Sequence, residues 1–255
     1  MNKVIRDWEG QRVWIIGASS GIGAALATAL LQRGAHVAVS ARRTEALQAV
    51  VAGQGEARVL AFDLNDRAAF ARAADNLFAV WGGIDLVVFS AGAYAPMRAW
   101  QLDVEGIDRL LDINLRAPMA ATACLIPQLL KQGGGVLAFV SSVAGYRGLP
   151  KAAAYGPTKA ALINFAETLY LDLAPRGLSV YLINPGFVAT PMTAANDFEM
   201  PALISPQQAA EEIIAGFASG RFEIHFPRRF TAWLKLLRLL PYRLYFALVR
   251  RFTRL

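Results

Sequence analysis

Short apolar runs alternate along this chain with longer stretches of helical periodicity. The runs Val13–Ile16, His36–Ser40, Arg58–Phe62, Leu86–Ser90, Val136–Val140, Ser179–Ile183 and Phe222–Phe226 are mostly apolar or β-branched, as strands buried on both faces are. Between them, residues 22–33, 44–52, 66–81, 103–132, 152–174 and 206–219 carry helical patterns. The last has the clearest start: Ser205 stands as N-cap, Pro206 takes the first helical position, and Gln208 completes a capping box. This alternation predicts an α/β fold on a parallel sheet covered on both faces. No repeat or linker-like stretch interrupts it, so the pattern divides the chain into one catalytic-sized domain, residues 1–227, and a tail, residues 228–255.

Composition narrows the class. With 255 residues, 55% hydrophobic and only 18% charged, the chain can bury a substantial core and is not a disordered protein. The single cysteine, Cys124, excludes a disulfide scaffold and a cysteine-based zinc site; it fits a reducing compartment and reads as a small buried apolar side chain. The net charge of +7 suggests nucleic-acid or membrane affinity until its distribution is read. Residues 228–255 hold eight basic and no acidic side chains, which leaves 18 basic against 19 acidic elsewhere. The body is electrically ordinary, which argues against nucleic acid as a partner. Met1–Gly10 has no apolar core of a signal peptide, and no apolar stretch approaches the length of about 18 residues a spanning helix needs. A cytoplasmic location is expected.

Directly after the first strand comes Gly17-Ala-Ser19-Ser20-Gly21-Ile22-Gly23, opening the first helix. Glycines at such a junction allow a tight turn and let backbone N–H groups approach a pyrophosphate resting on the positive end of the helix. The spacing differs from G-x-G-x-x-G; position, between first strand and first helix, carries the nucleotide reading. An acidic residue ending the second strand would hold a ribose 2′-hydroxyl. Here stands Ser40-Ala41-Arg42-Arg43, and arginine forks suit a 2′-phosphate, favouring NADP(H). A solvated helix start is the other reading of the two arginines. Asp63 reads either as an adenine-side contact or as the N-terminal charge of the next helix.

Tyr155 and Lys159 lie four residues apart on one helical face. A free phenol titrates near ~10 and is a poor acid–base group at neutral pH, but a neighbouring cation favours its ionised form. Ser142, at the end of the fifth strand, can polarise a substrate carbonyl. Taken alone, Y-x-x-x-K also describes a surface pair on an amphipathic helix.

Taken jointly, Gly17–Gly23, Asp63, Ser90-Ala91-Gly92, Asn114, Ser142, Tyr155–Lys159 and Asn184-Pro185-Gly186 resemble, in order and spacing, the short-chain dehydrogenases/reductases over residues 12–226. The resemblance implies a Rossmann-type doubly wound parallel sheet of about seven strands. It implies that Tyr155 is the general acid of carbonyl reduction, that Lys159 binds the nicotinamide ribose and tunes Tyr155, and that Ser142 hydrogen-bonds the reacting oxygen. Asn114 would hold a water linking Lys159 to solvent. The cofactor would touch Gly17, Ser19, Ser20, Gly21, Ile22 and Gly23, then Arg42 and Arg43, then Asp63 and Leu64. Ser90, Ala91, Gly92, Pro185, Gly186, Val188 and Thr190 would complete its site. Ile16 and Ser90 stand where the family usually has threonine and asparagine. A homodimer or homotetramer is the expected assembly.

The tail adds something atypical. Arg228, Thr231, Lys235 and Arg238 fall on one helical face, with Phe230, Trp233, Leu234, Leu237 and Leu240 largely on the other. Past Pro241, Arg243, Ala247, Arg250, Arg251 and Arg254 form a second, weaker stripe opposed by Tyr242, Tyr245, Phe246 and Val249. Two basic amphipathic helices broken at a proline suit an anionic membrane surface, where each basic group contributes about 1 kcal/mol. Packing, an oligomer contact or a flap over the substrate cleft is the alternative. Residues 93–100, 143–151 and 187–204 would shape the substrate pocket, with Tyr94, Met97, Tyr146, Leu149, Phe187, Met192 and Phe198 making it apolar. The leading expectation is an NADP(H)-dependent oxidoreductase for a small hydrophobic or lipid-like carbonyl or alcohol. The alternative is a nucleotide-binding regulator or scaffold recruited to membranes by its tail.

Overall fold

Side chains along β1 (Arg12–Ile16) point alternately to two different cores, which is what a strand covered on both faces requires. Val13 and Ile15 join Leu26, Leu30, Ile213 and Phe217; Trp14 and Ile16 join Phe70, Leu125 and Ala166. The Trp14 indole donates to Ser40 Oγ at 2.8 Å, so its polar edge is satisfied inside the core. The computed structural model of the chain describes residues 1–253; Arg254 of the second tail stripe and Leu255 lie outside the described residues.

β1 is joined by β2 (His36–Ser40), β3 (Ala57–Val59), β4 (Leu86–Phe89), β5 (Gly135–Val140), β6 (Leu178–Pro185) and β7 (Glu223–Phe226). They form one sheet ordered β3-β2-β1-β4-β5-β6-β7, parallel throughout. One face is covered by α1 (Gly21–Leu31) and α7 (Pro206–Ser219), with Leu47 of α2 (Thr44–Val51). The other is covered by α3 (Arg67–Trp81), α5 (Ala117–Lys131) and α6 (Tyr155–Leu173). This is the Rossmann-type α/β architecture, and the strand order reverses between β1 and β4. Loops leaving those two strands part to opposite faces, which opens a crevice at their carboxyl ends. The capping box of Ser205 and Gln208 forms as expected.

The stretch expected as one helix over 103–132 is three pieces. α4 (Val104–Leu111) runs into a π-helical turn, Asp112–Arg116, before α5 begins. A π turn adds one residue to the turn and so shifts the helical phase past it; Asn114, within it, is fully buried. α6 starts at Tyr155 rather than at 152.

After β7 the tail forms α8 (Arg228–Arg238) and α9 (Tyr242–Thr253), broken around Pro241. The faces differ from those the spacing suggests. Thr231 is fully buried and Lys235 is paired with Glu223, so the Arg228–Thr231–Lys235–Arg238 stripe is not a solvated face. Among the described residues no helix is long and apolar enough to cross a membrane. Cys124 is free and half-buried, and burial pushes its thiol up.

Candidate active site

The loops after β1, β2, β3, β4, β5 and β6 enclose a cleft of about 610 Å³. Gly17, Ser19, Ser20, Gly21 and Ile22 form its floor, with Arg42, Arg43, Asp63 and Leu64 at one end. Ser90, Ala91 and Gly92 line the middle; Ser142, Tyr155, Lys159, Pro185, Gly186, Val188 and Thr190 line the other end. The residues marked in the sequence are thus brought together, with two exceptions. Gly23 and Asn114 lie behind the wall.

Gly23 is there for packing: a Cβ on it would sit 2.3 Å from the Gly17 carbonyl oxygen. Gly17, at φ +92°, has no room either, since its Cβ would meet the Ala91 nitrogen at 2.2 Å. The departures Ile16 and Ser90 meet through the main chain, Ser90 N donating to Ile16 O at 2.8 Å. α1 carries no acid in its first turn, and the Ser20 side chain makes no cap bond, so the positive helix end faces the cleft uncompensated. Arg42 and Arg43 are exposed at the rim, Arg43 Nη2 lying 3.5 Å from Ser19 Oγ. Asp63 accepts from Asn65 N at 2.9 Å.

Deep in the cleft Lys159 is 4% exposed and has no carboxylate partner among the described residues. Its Nζ donates to Val140 O at 3.0 Å, and burial lowers its pKa to about 8. Nζ lies 5.7 Å from the centre of the Tyr155 ring. Burial pushes the Tyr155 phenol up to about 12; a hydrogen bond with Ser142 works against that, and the nearby Tyr94 adds to it. Tyr155 is therefore a protonated acid in the protein without cofactor. Asn114 Oδ1 accepts from Ala93 N at 2.8 Å, and its Nδ2 donates to Ala93 O at 3.0 Å and Thr158 Oγ1 at 3.1 Å. It braces the β4 loop against α6, with its oxygen near Gly92.

Several supporting residues escape the sequence reading. Thr158 holds Asn114, and Ser141 Oγ donates to Lys159 O at 2.9 Å; the hint is that each neighbours a marked residue. The three expected substrate loops are tied together by Tyr94 Oη to Asn196 Oδ1, Met97 N to Lys151 O, and the Lys151–Asp197 ion pair. Of their apolar side chains, Tyr94 and Met192 line the cleft. Tyr146 does not: its hydroxyl turns away to Glu223. Met97 packs with Leu110 and Ala154, and Phe187 packs between Phe198 and Phe230.

Residues 11–200 match the short chain dehydrogenase family. The chain belongs to it. A Myxococcus xanthus relative described as an uncharacterized oxidoreductase is 36% identical over 241 residues, covering 93% of this chain and 95% of the relative. Another uncharacterized oxidoreductase, from Staphylococcus epidermidis, is 32% identical, covering 78% and 87% of the two chains. Among solved structures, a short-chain dehydrogenase from Streptomyces avermitilis superposes with a TM-score of 0.82 at 26% identity, over 96% of this chain and 98% of that one. A 3-ketoacyl-(acyl-carrier-protein) reductase from Brucella melitensis, complexed with NADH, gives 0.78 at 26% identity, over 86% and 97%. This short-chain dehydrogenase is therefore an oxidoreductase of a family whose members bind nicotinamide cofactors.

Proposed function

We propose that the protein transfers hydride between NADP(H) and a carbonyl/alcohol pair on a small, apolar, lipid-like substrate. The carrying observation is the convergence of Ser142, Tyr155 and Lys159 in the cleft that the glycine turn and the uncompensated end of α1 open into. Those features fit a dinucleotide. Gly17, Ser19, Ser20, Gly21 and Ile22 would hold its pyrophosphate, Arg42 and Arg43 its 2′-phosphate, and Asp63 and Leu64 its adenine side. Ser90, Ala91, Gly92, Pro185, Gly186, Val188 and Thr190 would hold the nicotinamide end, with Gly23 packing the turn beneath. NADP(H) supplies hydride transfer at the nicotinamide ring.

Tyr155 donates the proton to the substrate oxygen, and Ser142 donates a hydrogen bond to the same atom. Lys159 binds the nicotinamide ribose and favours the phenolate as the proton leaves. Asn114, braced on the main chain of Ala93, would hold a water linking Lys159 to solvent. The scaffold alternative is not favoured, because Ser142, Tyr155 and Lys159 are all in place. The same reading has the enzyme in the cytoplasm as a homodimer or homotetramer, with residues 228–255 forming a unit of their own against an anionic membrane.

Titration with NADPH and NADH, followed by nicotinamide fluorescence, tests the cofactor. Arg42→Ala is expected to weaken NADPH roughly ten- to hundredfold and leave NADH unchanged, the worth of a charge-assisted contact. Preference for NADH in the unsubstituted protein would overturn the NADP(H) reading.

A further inference from the structure

The tail is latched to the body by a polar set and leaves oily side chains outside. Thr231 Oγ1 lies 2.6 Å from His225 Nδ1, and Lys235 Nζ pairs with Glu223 Oε2 at 2.5 Å. Arg147 donates to the carbonyls of Leu237, Arg238 and Leu240, meeting the negative end of α8. Its guanidinium also lies over the rings of Tyr242 and Tyr245, at 4.7 and 4.1 Å. Tyr245 Oη donates to Gly148 O at 2.7 Å. These anchors belong to residues 147–148, a few positions past Ser142, and to β7.

On the outer side, Trp233 is 46% exposed, Leu236 53% and Leu239 80%; Leu244, Phe246 and Phe252 of α9 are each more than half exposed. A folded protein rarely leaves so many large apolar side chains on neighbouring helices uncovered without a use for them. Among them stand the exposed arginines 228, 229, 238, 243, 250 and 251, none ion-paired among the described residues, and no acid follows Glu223 in the chain. An apolar protein groove would leave these arginines without a counter-charge. A nucleic acid would leave the leucines and phenylalanines in water. A bilayer with anionic headgroups takes both, with tryptophan and tyrosine suited to its interface.

We propose that α8 and α9 dock on an anionic lipid bilayer as a preassembled unit. The outward apolar face enters the headgroup–acyl boundary, while the inward side stays latched to Glu223, His225 and Arg147. The inference rests on the membrane placement of the tail and adds its orientation and its contact residues. Because the latch holds the chain just past Ser142, docking brings the substrate loops beside lipid, where an apolar substrate is concentrated.

The test is flotation of the full chain with vesicles of phosphatidylcholine alone or mixed with phosphatidylglycerol, read beside NADPH turnover and size in solution. The wild type is expected on the phosphatidylglycerol vesicles, and roughly tenfold or more weaker on phosphatidylcholine. Leu236→Ser with Leu239→Ser is expected to lower binding roughly tenfold or more at unchanged turnover. Glu223→Gln, which loosens the latch, is expected not to increase binding. A wild type that floats with neither vesicle would overturn the membrane placement itself. Binding that ignores the two leucines, or that rises when the latch is loosened, would overturn the docked orientation alone. No flotation together with a smaller assembly in the leucine variant would assign the face to a second copy of the chain. Loss of turnover at intact flotation would bear on the catalytic reading instead.

Discussion

Two tyrosines near Ser142 each stand beside a lysine, and they have opposite surroundings. Tyr155 has Lys159 Nζ 5.7 Å from its ring centre; Tyr146 has Lys235 Nζ at 6.0 Å. The second pair is neutralised. Glu223 sits between its members, accepting from Tyr146 Oη and Asn184 Nδ2 through one oxygen and pairing with Lys235 through the other. Burial and that carboxylate push the Tyr146 phenol far up, while Lys235 leads the groups that hold Glu223 below the usual carboxylate range against the opposing effect of burial. The first pair has no carboxylate partner among the described residues. Lys159 is buried with one carbonyl as partner and is lowered to about 8, and Tyr155 has Ser142 as its counterweight. Buried charge with its counter-charge beside it holds structure together. Buried charge left without one is poised to act on something that enters.

The widest separation is expected in turnover. Tyr155→Phe removes the proton donor, so kcat should fall by about 10²–10⁴ with little change in folding. Tyr146→Phe removes a hydroxyl of the same kind from the neutralised pair. It should leave kcat within about threefold and lower stability by about 1 kcal/mol, the net worth of its bond to Glu223. Initial rates at saturating NADPH and urea unfolding of both variants check this. Equal losses of kcat in the two would erase the distinction.

The two clusters also differ in how far the sequence revealed them. Tyr155 and Lys159 are four residues apart on one helix, and the glycine turn is seven consecutive residues, so local spacing displays them. The alternation of strand and helix was legible for the same reason: β4, for example, is fully buried along its whole length, and its residues announce it. Glu223 meets Tyr146 across 77 residues and Lys235 across 12. Such a set exists only once β7 and α8 are assembled, and its one trace in the sequence is a glutamate where β7 begins. The π turn at Asp112–Arg116 is five residues inside an otherwise continuous helical run, too short for a spacing pattern to mark it. In the tail, helical spacing separates polar from apolar positions but does not say which side the body takes: Thr231 and Leu237, from opposite stripes, are both buried.

Lys159→Met sharpens the comparison through stability. The lysine titrates near 8 when folded against an ordinary 10.5, so the unfolded chain holds more protons between those values. Stability of the cofactor-free wild type therefore rises with pH across that window, and below about pH 8 the whole penalty of burying the cation is present. The shift corresponds to about 3 kcal/mol at most. Methionine removes it but leaves Val140 O without its donor, for a net gain near 2 kcal/mol at neutral pH. The gain should shrink as pH approaches 10.5, with turnover lost throughout. Urea midpoints measured across that range decide it. A variant less stable than the wild type at neutral pH would mean that Lys159 is paired in a way the cleft does not show.

Glu223→Gln gives the smallest effect; stability again rises with pH, but here the lowered pKa reports a favourable pairing, so the variant loses stability instead of gaining it. A carboxylate held below its ordinary value contributes stability that is fully present above the unfolded pKa of about 4.3 and is lost as pH falls through the lower folded value. Glutamine keeps the shape and an acceptor oxygen for Tyr146 or Asn184, so the loss at neutral pH is that of the ion pair and one charged hydrogen bond. Lys235 and Glu223 are 34% and 23% exposed at their side chains, and solvent screening holds that loss to about 1 kcal/mol. The wild type and variant should differ by this amount at neutral pH and converge below about pH 4. Limited proteolysis in the tail reads the same event locally: cleavage after Arg238 should quicken in the variant at neutral pH, since Lys235 no longer fastens α8. If cleavage and urea midpoint stay at wild-type values, the second pair is a surface contact, and the contrast with Tyr155 and Lys159 reduces to one of burial alone.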